Sequence, residues 1–221
     1  IAVDGPGNVF ACGYFALTVN FGGSNLVSAG SQDIFLAGYD AAGTHQWSRS
    51  FGGTSGDYAL GLAVDPAGSI AMTGYCLGAV DFGSGPLNTT SWQVYLARFD
   101  GNGTSLMSNA YGSTTTDIGR AAAFDPSGDV FIVGELAGTG SLGGEIFPGA
   151  GGTDAFVARY SAVSAEPVIS AIDDIGNDQG RQVKITFARS GHDQATASTP
   201  IVHYEAYRRN DATPATAFGA A

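Results

Sequence analysis

The residues with chemical potential are few, and most of them recur. Asp4, Asp65 and Asp125 lie 61 and 60 residues apart, and Asp57 and Asp117 are 60 apart. Gathered around one mouth, these carboxylates would hold a cation. Their context favours a plainer use, because each of the first three is followed within three residues by glycine, as in a turn. There an Asp accepts hydrogen bonds from backbone N–H groups just ahead of it. Asp100-Gly101-Asn102-Gly103 carries part of a calcium loop but lacks the third oxygen ligand and the closing glutamate. Gly138-Thr139-Gly140-Ser141-Leu142-Gly143 has the spacing of a dinucleotide-binding string, but that use needs a helix to follow, and no helical period does. It reads as a glycine-rich hairpin loop.

His45, His192 and His203 stand in unlike contexts without metal-ligand spacing, and no serine sits in a G-x-S-x-G elbow. No catalytic residue, metal site or cofactor is therefore assigned. Among the aromatic residues, Trp47, Trp92 and Tyr75 have faces on which a sugar could stack. Trp47 falls inside a strand and is expected in the core, whereas Trp92 ends a long insert and is the better surface candidate. Glu135 stands where the register places Tyr14 and Tyr75 elsewhere in the chain, so it breaks the pattern with a carboxylate. Trp92 and Glu135 are the two candidate binding residues. Asn88 and Asn102 head N-x-T sequons, which matter only in a eukaryotic secretory pathway.

The elements that would position these residues come from the period itself. AVDGPGNVFACGY (2–14), AVDPAGSIAMTGY (63–75) and AFDPSGDVFIVGE (123–135) are variants of one stretch, and Gly13, Gly74 and Gly134 keep its step. QDIFLAGYD (32–40), SWQVYLARFD (91–100) and TDAFVARYS (153–161) continue the register. Self-similarity at a fixed period is the signature of a repeat architecture. The middle unit reads as four strands, YALGLAV, SIAMTGYC, QVYLARF and SLMSNAY, with Asp65-Pro66-Ala67-Gly68 and Asp100-Gly101-Asn102-Gly103 as hairpin turns. In VYLARF, Tyr95, Ala97 and Phe99 point one way and Val94, Leu96 and Arg98 the other. Both faces are largely apolar, so these sheets should be covered on both sides.

Repeated four-stranded antiparallel units packed face to face describe β-propeller blades. Short propeller repeats run roughly 40–50 residues; the surplus here lies between the second and third strands, in stretches such as LGAVDFGSGPLNTTS, and that loop is the expected carrier of function. The spacing of Asp65, Gly68, Gly74 and Phe82, followed by Tyr95-Leu96-Ala97-Arg98-Phe99, resembles the bacterial SBBP-type β-propeller repeat over residues 1 to about 162. Gln93, Met107 and the long inserts depart from that pattern. The resemblance implies a secreted or cell-surface protein of bacterial type and says little of activity.

From Ala165 the spacing changes. PVISAI, QVKITFA and IVHYEAYR are strand candidates that resemble the opening of a fibronectin-III or immunoglobulin-like sandwich, which needs about seven strands and ~100 residues. The expected fold is thus all-β: about three four-stranded antiparallel blades of an incomplete β-propeller over residues 1–164 (units near 1–55, 56–115 and 116–164), then a partial β-sandwich over 165–221. The first unit should lack its opening strand and the third its fourth. Three blades do not close a ring, so the chain is expected to be a fragment, truncated at both ends, that meets the remaining blades of a parent chain or closes by homo-oligomerisation.

Composition sets the partners. The chain has 34 glycines in 221 residues, only 13% charged residues and a net charge of −11. Residues 1–165 hold four arginines and no lysine. Such a surface repels phosphate and offers nothing to an anionic membrane, so nucleic acid and membrane insertion are not expected. Cys12 precedes Gly13 by one residue and Cys76 follows Gly74 by two, which puts them on opposite faces of equivalent strands. Packed sheets lie ~10 Å apart and a disulfide spans Cα atoms up to ~7 Å apart, so two free core thiols are expected. The functional expectation is a non-enzymatic extracellular or cell-surface binding or scaffold module with a protein or glycan ligand. The alternative is a propeller-based polysaccharide hydrolase or lyase with part of its catalytic set elsewhere.

Overall fold

The structure is a computed structural model that describes residues 1–144, 146–149 and 151–161, together with the backbone of 168–174 and 183–188. It is all-β, with no helix among the described residues. Contacts divide the chain into two compact units, Ile1–Ala162 and Val163–Ala221. Within the second, β16 (Val168–Asp174) and β17 (Val183–Ala188) pair antiparallel. The third strand expected there, and the sandwich as a whole, fall outside the described residues.

The first unit holds three successive antiparallel sheets. Sheet 1 takes β1 (Ala2–Val3), β2 (Val9–Phe15), β5 (Asp33–Tyr39) and β6 (His45–Phe51) in that spatial order, with a small hairpin of β3 (Thr18–Val19) and β4 (Leu26–Val27) between β2 and β5. Sheet 2 takes β7 (Tyr58–Val64), β8 (Ile70–Asp81), β9 (Pro86–Phe99) and β10 (Ser105–Tyr111). Sheet 3 takes β11 (Ile118–Phe124), β12 (Val130–Ala137) and β15 (Thr153–Tyr160), with β13 (Gly140–Ser141) and β14 (Ile146–Phe147) as a second small hairpin. The opening strand expected to be missing from sheet 1 is present: Ala2 pairs with Phe10 and Val3 with Val9. Two residues suffice because β1 needs only one turn, Asp4 to Gly7, to reach β2.

The sheets stack face to face. Phe10, Ile34 and Leu36 of sheet 1 share one core with Ile70, Met72 and Tyr95 of sheet 2. Ala71, Val94 and Leu96, on the other face of sheet 2, share a second core with Val130, Ile132 and Phe156 of sheet 3. Sheet 2 is therefore apolar on both faces because both are covered. Sheets close together on the β7–β11 side, where a Cβ on Gly61 would stand 2.7 Å from the Cα of Ala121. Gly74 and Gly134 are fixed by a different crowding: β7 and β11 bulge opposite them, and any side chain would run into the carbonyls of Tyr58 and Ile118.

The long insert of sheet 2 is not the free loop its length suggested. β8 and β9 extend together as one hairpin, irregular between Cys76 and Gly78, that folds Val80 and Phe82 back into the core. Phe82 is 1% exposed and its ring lies 5.2 Å from that of Phe51 and 4.7 Å from that of Tyr95. Burying such a side chain stabilises by about 1.5–3 kcal/mol. Phe21 and Leu142 occupy the corresponding places, 61 before and 60 after. Phe21 stacks on Phe35 at 4.3 Å, and Leu142 joins the second core. The Tyr39 hydroxyl donates to the Phe21 carbonyl at 2.8 Å and the Tyr160 hydroxyl to the Leu142 carbonyl at 2.9 Å. Each insert is thus a wedge on one face of its own sheet, which in sheets 2 and 3 is the face toward the preceding sheet and in sheet 1 is the equivalent face.

Candidate functional site

The two ends of the stack differ in what their acids do. At the turn end, Asp65 Oδ1 accepts from the N–H groups of Ala67 and Ser69 at 2.9 and 2.8 Å, and Asp100 Oδ1 from those of Asn102 and Thr104 at 2.9 and 2.8 Å. Asp40 and Asp125 repeat the pattern. At the opposite end, Asp57 and Asp117 are fully buried. Asp117 accepts from the N–H groups of Ser113 (2.5 Å) and Ala137 (2.8 Å), and its own N–H donates to the Trp92 carbonyl at 2.8 Å. Asp57 accepts from Gly53 and Leu77, and its N–H donates to the Gln32 carbonyl at 2.7 Å. Each buried Asp therefore ties the start of its sheet back to the sheet before it through its main-chain N–H, while its carboxylate binds the linker between the two sheets and the second strand of its own. Burial pushes the Asp57 carboxyl above its ordinary value, the two N–H donors pull it back, and the charge of Asp33 adds to the rise.

These clips fix the residues beside them, and those residues are aromatic. Tyr58 follows Asp57; Tyr14 and Tyr75 follow Gly13 and Gly74; Trp92 supplies the carbonyl that anchors Asp117. The rings of Tyr14 and Tyr58 meet edge to face at 4.8 Å, and those of Tyr58 and Tyr75 stack at 4.7 Å with planes 22° apart. Trp92 closes the cluster at 5.3 Å from Tyr75 and 5.8 Å from Tyr58. Tyr14 is 51% exposed, and the other three are half-buried. The Tyr58 hydroxyl donates to Gln32 Oε1 at 3.1 Å. The row continues on sheet 3, where Arg120 Nε pairs with Glu135 Oε1 at 2.8 Å. Burial raises the Tyr75 hydroxyl above its ordinary value, with Tyr58 and Tyr14 acting the same way and the Arg120 charge opposing them. Tyr75 therefore stays a neutral donor and acceptor at physiological pH. The arrangement presents aromatic faces flanked by hydroxyl, amide, guanidinium and carboxylate groups, a combination that binds polar ligands with apolar faces.

Both residues singled out from sequence, Trp92 and Glu135, lie at this end: Trp92 inside the aromatic cluster and Glu135 on the neighbouring sheet, held by Arg120. Tyr14, Tyr58 and Arg120 were not singled out. The signal for them was present in the register, since Tyr58 and Arg120 sit beside the recurring buried acids and glycines. The other sequence candidates sit elsewhere. Trp47 packs on Phe10 and donates its indole N–H to the Gly101 carbonyl at 3.0 Å. It lines a cavity of about 440 Å³ at the turn end with Asn8, Asp40, Gln46 and Asn102. The polar groups there are largely committed, Asp40 to its own turn and to Gln46. His45 sits edge-on to Tyr39. The Gly138–Gly143 stretch forms a turn and β13, and no helix follows it among the described residues. Cys12 and Cys76 form no disulfide, and burial pushes their thiols up to about 11 and about 12, so both stay protonated and unreactive at neutral pH. Against this geometry, no protein-family model matches the chain, and no curated protein matches it either.

Proposed function

We propose that this chain is a non-enzymatic binding module of the extracellular space or cell surface, and that it takes a neutral glycan at the Tyr14–Tyr58–Tyr75–Trp92 rim. The observation that carries the reading is the continuity of that rim: four rings form one contiguous cluster, Tyr14 half exposed, and the charge of Arg120, from an exposed ion pair on the next sheet, reaches the Tyr75 hydroxyl. A sugar ring offers C–H faces to aromatic faces and hydroxyls to the surrounding polar groups. The net charge of −11 disfavours polyanionic ligands and so selects neutral saccharides over sulfated or uronic ones. The resemblance of residues 1–162 to the bacterial SBBP-type propeller repeat supports the location and a role in presenting surface features on a fixed scaffold. On this reading Arg120 and Glu135 orient hydroxyls at the far end of the ligand. Glu135 is already engaged by a guanidinium, which suits recognition better than proton transfer.

The test is binding of the 221-residue chain to an array of neutral and acidic glycans, alongside Tyr14→Ala and Trp92→Ala. Tyr14 is exposed, so its truncation leaves the fold intact. The expected result is binding to neutral glycans that weakens about tenfold or more with either change, a loss of about 1.4 kcal/mol. Binding unaffected by Tyr14→Ala, or no binding at all, defeats the proposal. Release of shortened saccharide would favour the hydrolase or lyase alternative.

A further inference from the structure

We propose that the open face of sheet 3, on β12 and β15, docks head to tail onto the β2–β5 face of sheet 1 in a second copy of this chain. Both halves of that interface are on the molecule, and the molecule already uses their equivalents twice. On sheet 2 the face that meets sheet 3 carries Ala71, Val94 and Leu96, all 0% exposed. The same strand positions on sheet 3, 60 or 61 residues further on, are Phe131, Ala155 and Val157. There Val157 is 72% exposed, and Val133 on the same face 37%. The pattern that buries sheet 2 is repeated on sheet 3 and left in solvent.

The cover it requires is defined by what covers sheet 1. That is the face of sheet 2 bearing Ile70, Met72, Tyr95 and Ala97, with Phe82 as wedge. At the equivalent positions sheet 1 carries Val9, Ala11, Phe35 and Ala37, with Phe21 as wedge. Every one is apolar. The wedge is already seated, its ring on Phe35 and its carbonyl bonded by the Tyr39 hydroxyl. The edge of the contact differs in one respect. Arg98 of sheet 2 rests its guanidinium 5.6 Å over the Phe124 ring of sheet 3. Its equivalent, Arg159, is paired with Asp129 and lies over Phe131 of its own sheet, and the equivalent of Phe124 on sheet 1 is the aliphatic Val3, 57% exposed, so apolar contact alone would close that edge. The docking therefore continues an interface the chain has formed twice, with sheet 1 of one copy standing where a sheet after sheet 3 would stand. The two surfaces are different patches, so the contact is heterologous: it closes into a ring or extends into a chain of copies according to the rotation between them.

Sedimentation of the full 221-residue chain over a concentration series tests this, with Val157→Lys and Val133→Lys on one face and Val3→Lys on the other. All three positions are exposed, and unchanged thermal melts by circular dichroism check that the variants fold. The expected result is reversible growth in mass above the monomer for the native chain. Each variant should raise the concentration needed for association at least tenfold. An equimolar mixture of Val157→Lys and Val3→Lys should form a dimer and nothing larger, because each partner keeps one working face. A native chain that stays monomeric at every concentration overturns the proposal, as does association that survives Val157→Lys. A mixture that remains monomeric overturns it as well, and association by Val3→Lys alone would show that like faces, not unlike ones, meet.

Discussion

Sheets 2 and 3 carry nearly the same strands and keep different company. Ala71, Val94 and Leu96 are sealed between two sheets; Phe131, Ala155 and Val157 hold the same register with solvent on one side. Strand alternation alone does not distinguish them, since both have apolar residues on both faces. What the difference teaches is that this pattern specifies membership of a stack. A strand written for two neighbours keeps its apolar residues whether or not the second neighbour is in place, and burial follows from the stacking rather than from the strand.

The largest effects should fall where the cover is complete. Phe82→Ala removes a wedge in contact with Phe51, Tyr95 and Phe99, and should cost about 3–5 kcal/mol in urea denaturation. Leu96→Ala should cost about 2–5 kcal/mol. The matching Val157→Ala, at a position 72% exposed, should stay within about 0.5 kcal/mol in dilute solution. Comparable losses at Leu96 and Val157 would show that the open face is covered in the monomer, and the contrast between the sheets would dissolve.

Next in size is the joint between them. Asp117→Ala leaves the Ser113 and Ala137 N–H groups without the carboxylate they now share, and Ser113 Oγ loses its 3.1 Å bond to Oδ1. Stranding buried donors costs about 1–3 kcal/mol. The main-chain bond from residue 117 to the Trp92 carbonyl survives the change, so if the carboxylate's hold on the Ser113 linker is what fixes sheet 3 on sheet 2, hydrogen exchange should quicken in β11 before it does in β7. Uniform loss of protection through both strands would mean that the apolar core alone aligns the sheets.

Much of this was legible in the residues. The recurring Asp-x-x-Gly placed the hairpin turns, and the apolar residues on both faces of VYLARF required two covers, which sheet 2 has. Other features depended on distance in sequence and were hidden. Phe82 looked like part of a surface loop because its hairpin is long and rich in glycine; only the return of β9 alongside β8 shows that it points inward. Asp57 and Asp117 recur at the period of the chain, but nothing local says that their partners are Gln32 and Trp92, some 25 residues earlier. Tyr14, Tyr58 and Tyr75 come together across two sheets, so no window of sequence contains the cluster. Trp92 stood out because it is rare, and Glu135 because it broke a register; Arg120 broke one too, against Leu60, and that signal was available.

The smallest expected effect compares an acid at a joint with one at a turn, and its sign is what matters. In the folded chain burial raises the Asp57 carboxyl. Below about pH 4 both folded and unfolded chains hold this proton. As pH rises, the unfolded chain releases it first, so the folded state loses stability until its own carboxyl ionises. Asp125 runs the other way. The Ser127 hydroxyl, then the Asp129 and Ser127 N–H groups and Arg159, lower its carboxyl. Its contribution is complete above the unfolded value and is lost as pH falls through the folded one. In urea denaturation across a pH series, the native chain should therefore lose ground to Asp57→Asn as pH climbs from about 4 toward neutrality. Against Asp125→Asn it should gain ground as pH climbs through the acid range toward about 4. Slopes of the same sign at the two sites would mean that Asp57 is hydrated in solution, and that the joint between sheets 1 and 2 is as open as a surface turn.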